Sequence, residues 1–277
     1  MISQQRADNY ELNIWSLLRG DLVMRMAYRS DIGRIRLVNE DRAWAEKTDS
    51  NMIVAIVADG MGGHQAGDVA SQLAVDTFRE ALQGSSSTLT LEERKTLVRQ
   101  AILQANETVY GMASSNKQYH NMGTTVVAAL LQPDNGVVGH IGDSRAYKWR
   151  DGVLSQLTED HTLVNELVKS GQITPAEAVH HPRRNVLTRA LGTDELVEVD
   201  VRGISWAPDD LLLLCSDGLT TMVSEEQISL TLLESGLDLD AKADRLVDLA
   251  LQAGGDDNIT VVLLHHADDT VQEECAT

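Results

Sequence analysis

The stretch Ile53-Val54-Ala55-Ile56-Val57-Ala58-Asp59-Gly60-Met61-Gly62-Gly63-His64-Gln65-Ala66-Gly67 constrains this chain more than any other. Residues 53–58 are small or β-branched apolar residues with no polar alternation, the pattern of a strand buried on both faces. One carboxylate and four glycines follow within nine residues, and a helical pattern comes next. Asp59 is therefore expected where a buried strand ends and the backbone turns sharply. Glycine there lets main-chain amides and carbonyls approach a ligand closely. A carboxylate at that point suits a cation, or a phosphate held through one.

The bounds are consistent with one sizeable α/β domain: 277 residues, 43% of them hydrophobic. Only 4% are aromatic, so the core must rest on Val, Leu, Ile and Ala. A net charge of −19 argues against a nucleic-acid or anionic-membrane binder, which would need a basic face. Cys215 lies inside the apolar run Leu211-Leu212-Leu213-Leu214-Cys215 and Cys275 in a polar tail, which fits a reducing compartment better than a disulfide framework. No stretch approaches the ~18 apolar residues of a spanning helix, and the polar N-terminus lacks a signal-peptide pattern. A soluble, cytoplasmic protein is expected.

Residues 1–26 are weakly patterned around Ile14, Trp15, Leu17 and Leu18 and read as an N-terminal appendage. Val69, Leu73, Phe78 and Leu82 recur at helical spacing, and Thr90 with Glu93 forms a capping box for a second amphipathic helix. Residues 124–131, 137–141, 145–150 and 153–154 are strand-like and joined by turn signals, including Asp151-Gly152. These hairpins imply antiparallel sheet. Residues of about 158–190 are polar, hold His161, His180, His181 and three arginines, and read as an insertion over the sheet edge. Val197 to Val201 alternates as a half-buried strand. Leu211 to Cys215 and Ile259 to Leu264 are buried strands, separated by helices from Ser224 to about Leu233 and from about Ala241 to Leu251. Residues 267–277 form an acidic tail, leaving 27–266 as the domain.

One pattern recurs four times: an apolar strand meets an aspartate beside a glycine or asparagine. The instances are Asp59-Gly60, Gly142-Asp143, Asp217-Gly218 and Asp257-Asn258, with Glu40-Asp41 as a further acidic pair. Any one of them is an ordinary turn. Four at the ends of buried strands are different, because strands of one sheet bring their ends together. Crowded carboxylates repel and are costly to desolvate, so a cation would compensate them. Oxygen ligands without cysteine select hard ions, Mg²⁺ or Mn²⁺ over zinc.

These residues also carry a family resemblance. Arg36 with Asn39-Glu40-Asp41, then Asp59-Gly60-Met61-Gly62-Gly63, Met122-Gly123-Thr124-Thr125, Gly142-Asp143-Ser144-Arg145, Ser216-Asp217-Gly218 and Asp257-Asn258 occur in that order. Over residues 26–266 the chain resembles the bacterial branch of the metal-dependent, type 2C protein phosphatases. The resemblance implies an α+β fold, a two-sheet antiparallel β-sandwich flanked by helix pairs. It implies hydrolysis of phosphoserine and phosphothreonine by a hydroxide activated by two metals, without a phosphoenzyme. Asp59 would bridge both metals, the Gly60 carbonyl would bind one, and Asp217 and Asp257 would ligate the other. Glu40 and Asp41 would hold metal-bound waters, and Arg36 would grip the phosphate. Asp143 would join Asp217 at a weaker third metal. Mn²⁺ or Mg²⁺ is the expected cofactor. A phosphoprotein is the expected substrate, with a bacterial Ser/Thr kinase as the opposing partner and a monomer as the working form. The insertion matches the family's variable flap, with His161, Arg183 and Arg184 as substrate-facing candidates.

Some assignments divide. Asp256 adjoins Asp257, but the Asp-Asn pairing favours Asp257. His64 is placed as a capping or surface residue, because animal relatives carry their histidine directly after the Asp-Gly pair, where this chain has Met61. A regulatory module without catalysis is disfavoured by the intact acidic set. An aspartyl-phosphate mechanism is disfavoured because Asp59-Gly60-Met61 lacks the second carboxylate of an Asp-x-Asp pair.

Overall fold

The computed structural model describes residues 23–48, 52–62 and 66–267. Two antiparallel sheets pack face to face. One has the order β1 (Val23–Asp31), β11 (Ile259–Ala267), β10 (Leu211–Cys215), β7 (Arg145–Arg150), β8 (Val153–Gln156). The other has the order β2 (Asp41–Lys47), β3 (Ile53–Met61), β5 (Val126–Leu131), β6 (Asn135–Ile141), β9 (Asp200–Ser205), with the short β4 (Gly123–Thr124) pairing β3.

Parity along the strands explains the apolar runs. Ile53, Ala55 and Val57 of β3, with Val127 and Ala129 of β5, face Leu212, Leu214, Val262 and Leu264 of the opposite sheet. The intervening Val54, Ile56, Ala58, Val126, Ala128 and Leu130 pack under α1 (Ala66–Leu82) and α2 (Leu91–Ser115). On the far side Leu211, Leu213, Val261 and Leu263 pack under α5 (Asp217–Thr220), α6 (Glu225–Leu233) and α7 (Leu239–Ala253). Both faces of the central strands are therefore covered, so an antiparallel sheet carries the continuous apolar text usual in parallel ones. The expected helix–sheet–sheet–helix layering is what forms.

Local chemistry sets the element ends. Thr90 accepts from the Glu93 amide while the Glu93 carboxylate accepts from the Thr90 amide, closing the anticipated capping box of α2. Ser224 and Gln227 do the same for α6. Asp151 and Gly152 both have positive φ, at 52° and 80°, as a two-residue turn between β7 and β8 requires.

Several boundaries differ from the sequence reading. β1 begins at Val23, inside the proposed appendage, and pairs with β11 from its first residue (Val23 opposite Ala267). β3 does not end at Asp59; it continues to Met61 and exchanges β5 for β4 as its partner. The strand expected at 197–201 starts only at Asp200. Ahead of it, Asn106 of α2 donates to the carbonyls of Asp194 and Glu195, and Arg99 donates to that of Val199, so side chains take the bonds a strand partner would use. The remainder of the N-terminal segment, His64, and the tail beyond Ala267 lie outside the described residues. Cys215 is buried as a free thiol. Among the described residues, no helix is long and apolar enough to cross a membrane.

Candidate active site

Antiparallel pairing brings every Asp motif to one end of the sandwich. Asp41 stands opposite Asp59 across β2 and β3. Cys215, two residues before Asp217, pairs with Val261 of β11 and with Arg145 of β7, so Asp217, Asp257 and Asp143 all leave their strands at that end. Strand topology thus gathers residues that are distant in sequence. The short helix α5 begins at Asp217.

Two glycines shape the junction. A Cβ at Gly60 would lie 2.1 Å from the Gly67 carbonyl oxygen, and one at Gly67 would lie 2.6 Å from Glu40 Oε1. The Gly60 amide donates to the Glu40 carbonyl (3.1 Å). The loop carrying Glu40, the end of β3 and the first turn of α1 therefore touch backbone to backbone, with the Glu40 carboxyl against the Gly67 amide.

Asn258 holds that arrangement together. Its Nδ2 donates to the carbonyls of Ile32 (2.8 Å) and Val38 (3.1 Å), and its Oδ1 accepts from the Glu40 amide (2.8 Å). One amide side chain so ties the segment bearing Arg36 and Glu40 to the start of β11. The sequence reading used Asn258 only as a motif partner. Its signal was an asparagine beside a candidate ligand, able to donate and accept at once.

Burial without compensating charge governs the electrostatics. Asp41 is 2% exposed; its Oδ2 accepts from Ser216 Oγ (2.7 Å), while its Oδ1 has no hydrogen-bond partner. Desolvation, followed by repulsion from neighbouring aspartates, pushes the Asp41 carboxyl up to about 7 and that of Asp143 up to about 8. The same causes hold Asp59 well above the carboxylate range and raise Asp217. Burial raises Glu40 as well. Asp217 lies close enough to Asp59 to add to the repulsion that raises it, a crowding of anions that a proton or a cation would relieve. Arg36 Nη2 donates to Asp257 Oδ2 at 2.6 Å, and its side chain stays 49% exposed. Asp256 is exposed beside the half-buried Asp257, so the two adjacent acids occupy different surroundings.

The donor set fits a hard divalent cation: several carboxylates, one buried oxygen with no partner, and a backbone cradle in which a side chain at residue 60 would collide.

The flap residues separate. His161, read from the sequence as substrate-facing, is buried. It is 2% exposed and clasped to the turn before Asp143, since its Nδ1 accepts from the Gly142 amide (3.1 Å) and its own amide donates to the Gly142 carbonyl (3.0 Å). The acceptor role of Nδ1 puts the ring proton on Nε2, which meets Asp200 Oδ2 at 3.2 Å. Desolvation, then the neighbouring His140, lowers its pKa. His140 stacks on His161 with centroids 4.7 Å apart. With Asp200 these rings lie close enough to hold a metal, but stacked rings direct their lone pairs alongside each other, and Arg189 Nη1 already sits 3.5 Å from both His161 Nε2 and Asp200 Oδ1. The cluster is a structural strut. Arg184 lines a cavity shared with Asp143 and Asp217. Arg183 is absent from that lining and exposed, its amide donating to His181 Nδ1.

A family model described as Protein phosphatase 2C matches residues 34–252. The chain belongs to the protein phosphatase 2C family. A serine/threonine phosphatase of Listeria monocytogenes is 45% identical over 241 residues, covering 87% of this chain and 95% of that one. The solved Mycobacterium tuberculosis serine/threonine phosphatase PstP superposes with a TM-score of 0.81 at 38% identity, covering 89% of this chain and 100% of that one. A PstP catalytic domain solved in complex with two manganese ions gives 0.78 at 37% identity, again over 89% and 100%. The family likeness in the sequence is thereby confirmed, and so is the sandwich fold.

Proposed function

We propose that this phosphatase hydrolyses phosphoserine and phosphothreonine in proteins at the acidic end of the sandwich, using two Mn²⁺ or Mg²⁺ ions. The observation that carries the reading is the gathering of Asp41, Asp59, Asp143, Asp217 and Asp257 at one end of the sandwich, where burial first and mutual repulsion second raise Asp41, Asp59, Asp143 and Asp217. Asp59, the Gly60 carbonyl, Asp217 and Asp257 would hold the pair, with Glu40 and Asp41 acting through water. Asp143 and Asp217 would hold a weaker third ion. Such a cation pair supplies water activation and neutralises the phosphate under attack.

The protein's own contributions follow from its residues. Arg36 presents a planar, permanently charged fork beside Asp257, suited to phosphate oxygens. Asn258 keeps that arginine and Glu40 in register with β11. Asp41, held by the Ser216 hydroxyl, would orient a metal-bound water. A manganese-bound relative, PstP, supports the choice of ion. We further propose a phosphoprotein of a Ser/Thr kinase pathway as substrate, a monomeric working form, a cytoplasmic location, and a domain spanning 27–266 extended by the first residues of β1.

The test is hydrolysis of a phosphothreonine peptide by chelated protein to which Mn²⁺ is returned. Activity should appear only with the metal. Asp217→Ala should lower it about 100-fold or more, since even residues behind metal ligands are worth 10–100-fold. Metal-free turnover, or a trapped covalent phosphoenzyme, contradicts the reading.

A further inference from the structure

The excursion beyond His161 leaves and returns at one point. The Leu163 amide donates to the Val186 carbonyl, the Thr188 amide donates to the His161 carbonyl, and Thr162 bridges Leu187. Above this neck lie α3 (Leu163–Lys169) and α4 (Pro175–Val179), and neither helix has a buried residue. They add no side chain to the core. They nevertheless turn aliphatic groups toward one cavity of about 940 Å³: Val164 and Val168, one turn apart on α3, and Ala178 and Val179 on α4. Val179 is 64% exposed.

The other walls of this cavity indicate what it meets. Asp143 and Asp217 line it, so it opens directly onto the acidic centre. Its floor carries Arg145 and Asp160, joined by bonds from Nε and Nη2 of 2.9 and 2.7 Å, so that their charges cancel against each other. A polypeptide presenting a phosphorylated residue to Asp217 can lay residues on one side of it into this space. There they meet the aliphatic groups of α3 and α4 beside the paired Arg145 and Asp160, with Glu159, His180 and Arg184 also in the lining.

We propose that the cavity is a substrate subsite that receives an aliphatic side chain flanking the phosphorylated serine or threonine. The proposal rests on the phosphatase reading above. Its physical basis is the removal from water of Val179, which folding leaves exposed, and of the half-buried Val164 and Val168, together with the continuity of cavity and catalytic end. A volume of about 940 Å³ has room for a short peptide segment, not only one side chain.

The experiment uses the full chain with Mn²⁺ and a panel of phosphothreonine peptides carrying Leu, Ala, Lys or Glu at successive positions on either side. Each kcat/KM is normalised to the rate on p-nitrophenyl phosphate, which has no flanking residue. At one or more positions Leu should exceed Ala by about tenfold, the scale of one well-filled apolar pocket. Val168→Asp should bring that ratio close to one, and Val179→Asp on the other helix should do the same, with thermal melts confirming that both variants fold. Equal rates across the panel, or a preference for Glu that would give the cavity to Arg184, overturn the subsite. Failure of the wild type on p-nitrophenyl phosphate and on every peptide instead overturns the phosphatase reading, and the subsite with it.

Discussion

Asn258 and Asp41 show how single side chains acquire meaning from their depth. An asparagine with three bonds into one loop is a clasp, and its loss leaves main-chain groups of Ile32, Val38 and Glu40 without partners. Asn258→Ala should therefore cost about 1–3 kcal/mol in urea unfolding. It should also raise KM for a phosphopeptide, because Arg36 lies on the released segment. An unchanged unfolding midpoint would contradict the clasp. At this scale the sequence was legible where residue type alone restricts chemistry: Asp59 and Asp217 stand out beside glycine after apolar runs, and Asp257 beside asparagine before one. It was not legible for His161, whose polar neighbourhood in sequence gives no sign of burial. Only the fold reveals that Gly142 bonds both its ring Nδ1 and its backbone amide.

Among the elements, the strands were the readable part and their partners were not. An apolar run such as Ile53 to Ala58 announces a strand covered on both faces, yet it cannot say that odd residues meet a second sheet while even ones meet helices. The strand expected at 197–201 begins only at Asp200, because Arg99, 100 residues earlier, takes the Val199 carbonyl, while Asn106 holds those of Asp194 and Glu195 just ahead. Local alternation cannot see such distant side chains. The neck of the flap makes a prediction at this scale. His161→Phe removes the acceptor for the Gly142 amide and should destabilise the fold by about 1–3 kcal/mol. His161→Asn, whose Oδ1 can replace Nδ1, should retain most of the stability. Equal losses in denaturant melts of the two variants would show that packing, not the bond to Gly142, is what the ring supplies.

Across the whole molecule, the sandwich is a device for crowding acids at one end. Its consequence is a pH dependence of unusual sign. Asp41 and Asp143, raised to about 7 and about 8 in the folded protein, bind protons there that the unfolded chain releases near ordinary carboxylate values of about 4. Folded protein therefore holds more protons than unfolded between those limits, so stability falls as pH rises. In chelator, the melting temperature should drop between pH 5 and pH 8.5, and the stabilisation by Mn²⁺ should be larger at the higher pH. A chelated protein that melts higher at pH 8.5 than at pH 5 would contradict this account of the cluster.

The most direct test counts the ions. Calorimetric titration of chelated protein with Mn²⁺, checked by the loss of free-ion paramagnetic signal, should find two equivalents in the tight phase. Asp59→Asn should abolish both, as a shared bridge requires, whereas Asp257→Asn should remove one. No binding at millimolar Mn²⁺, or an undiminished count in Asp59→Asn, would contradict a two-metal centre built on that residue.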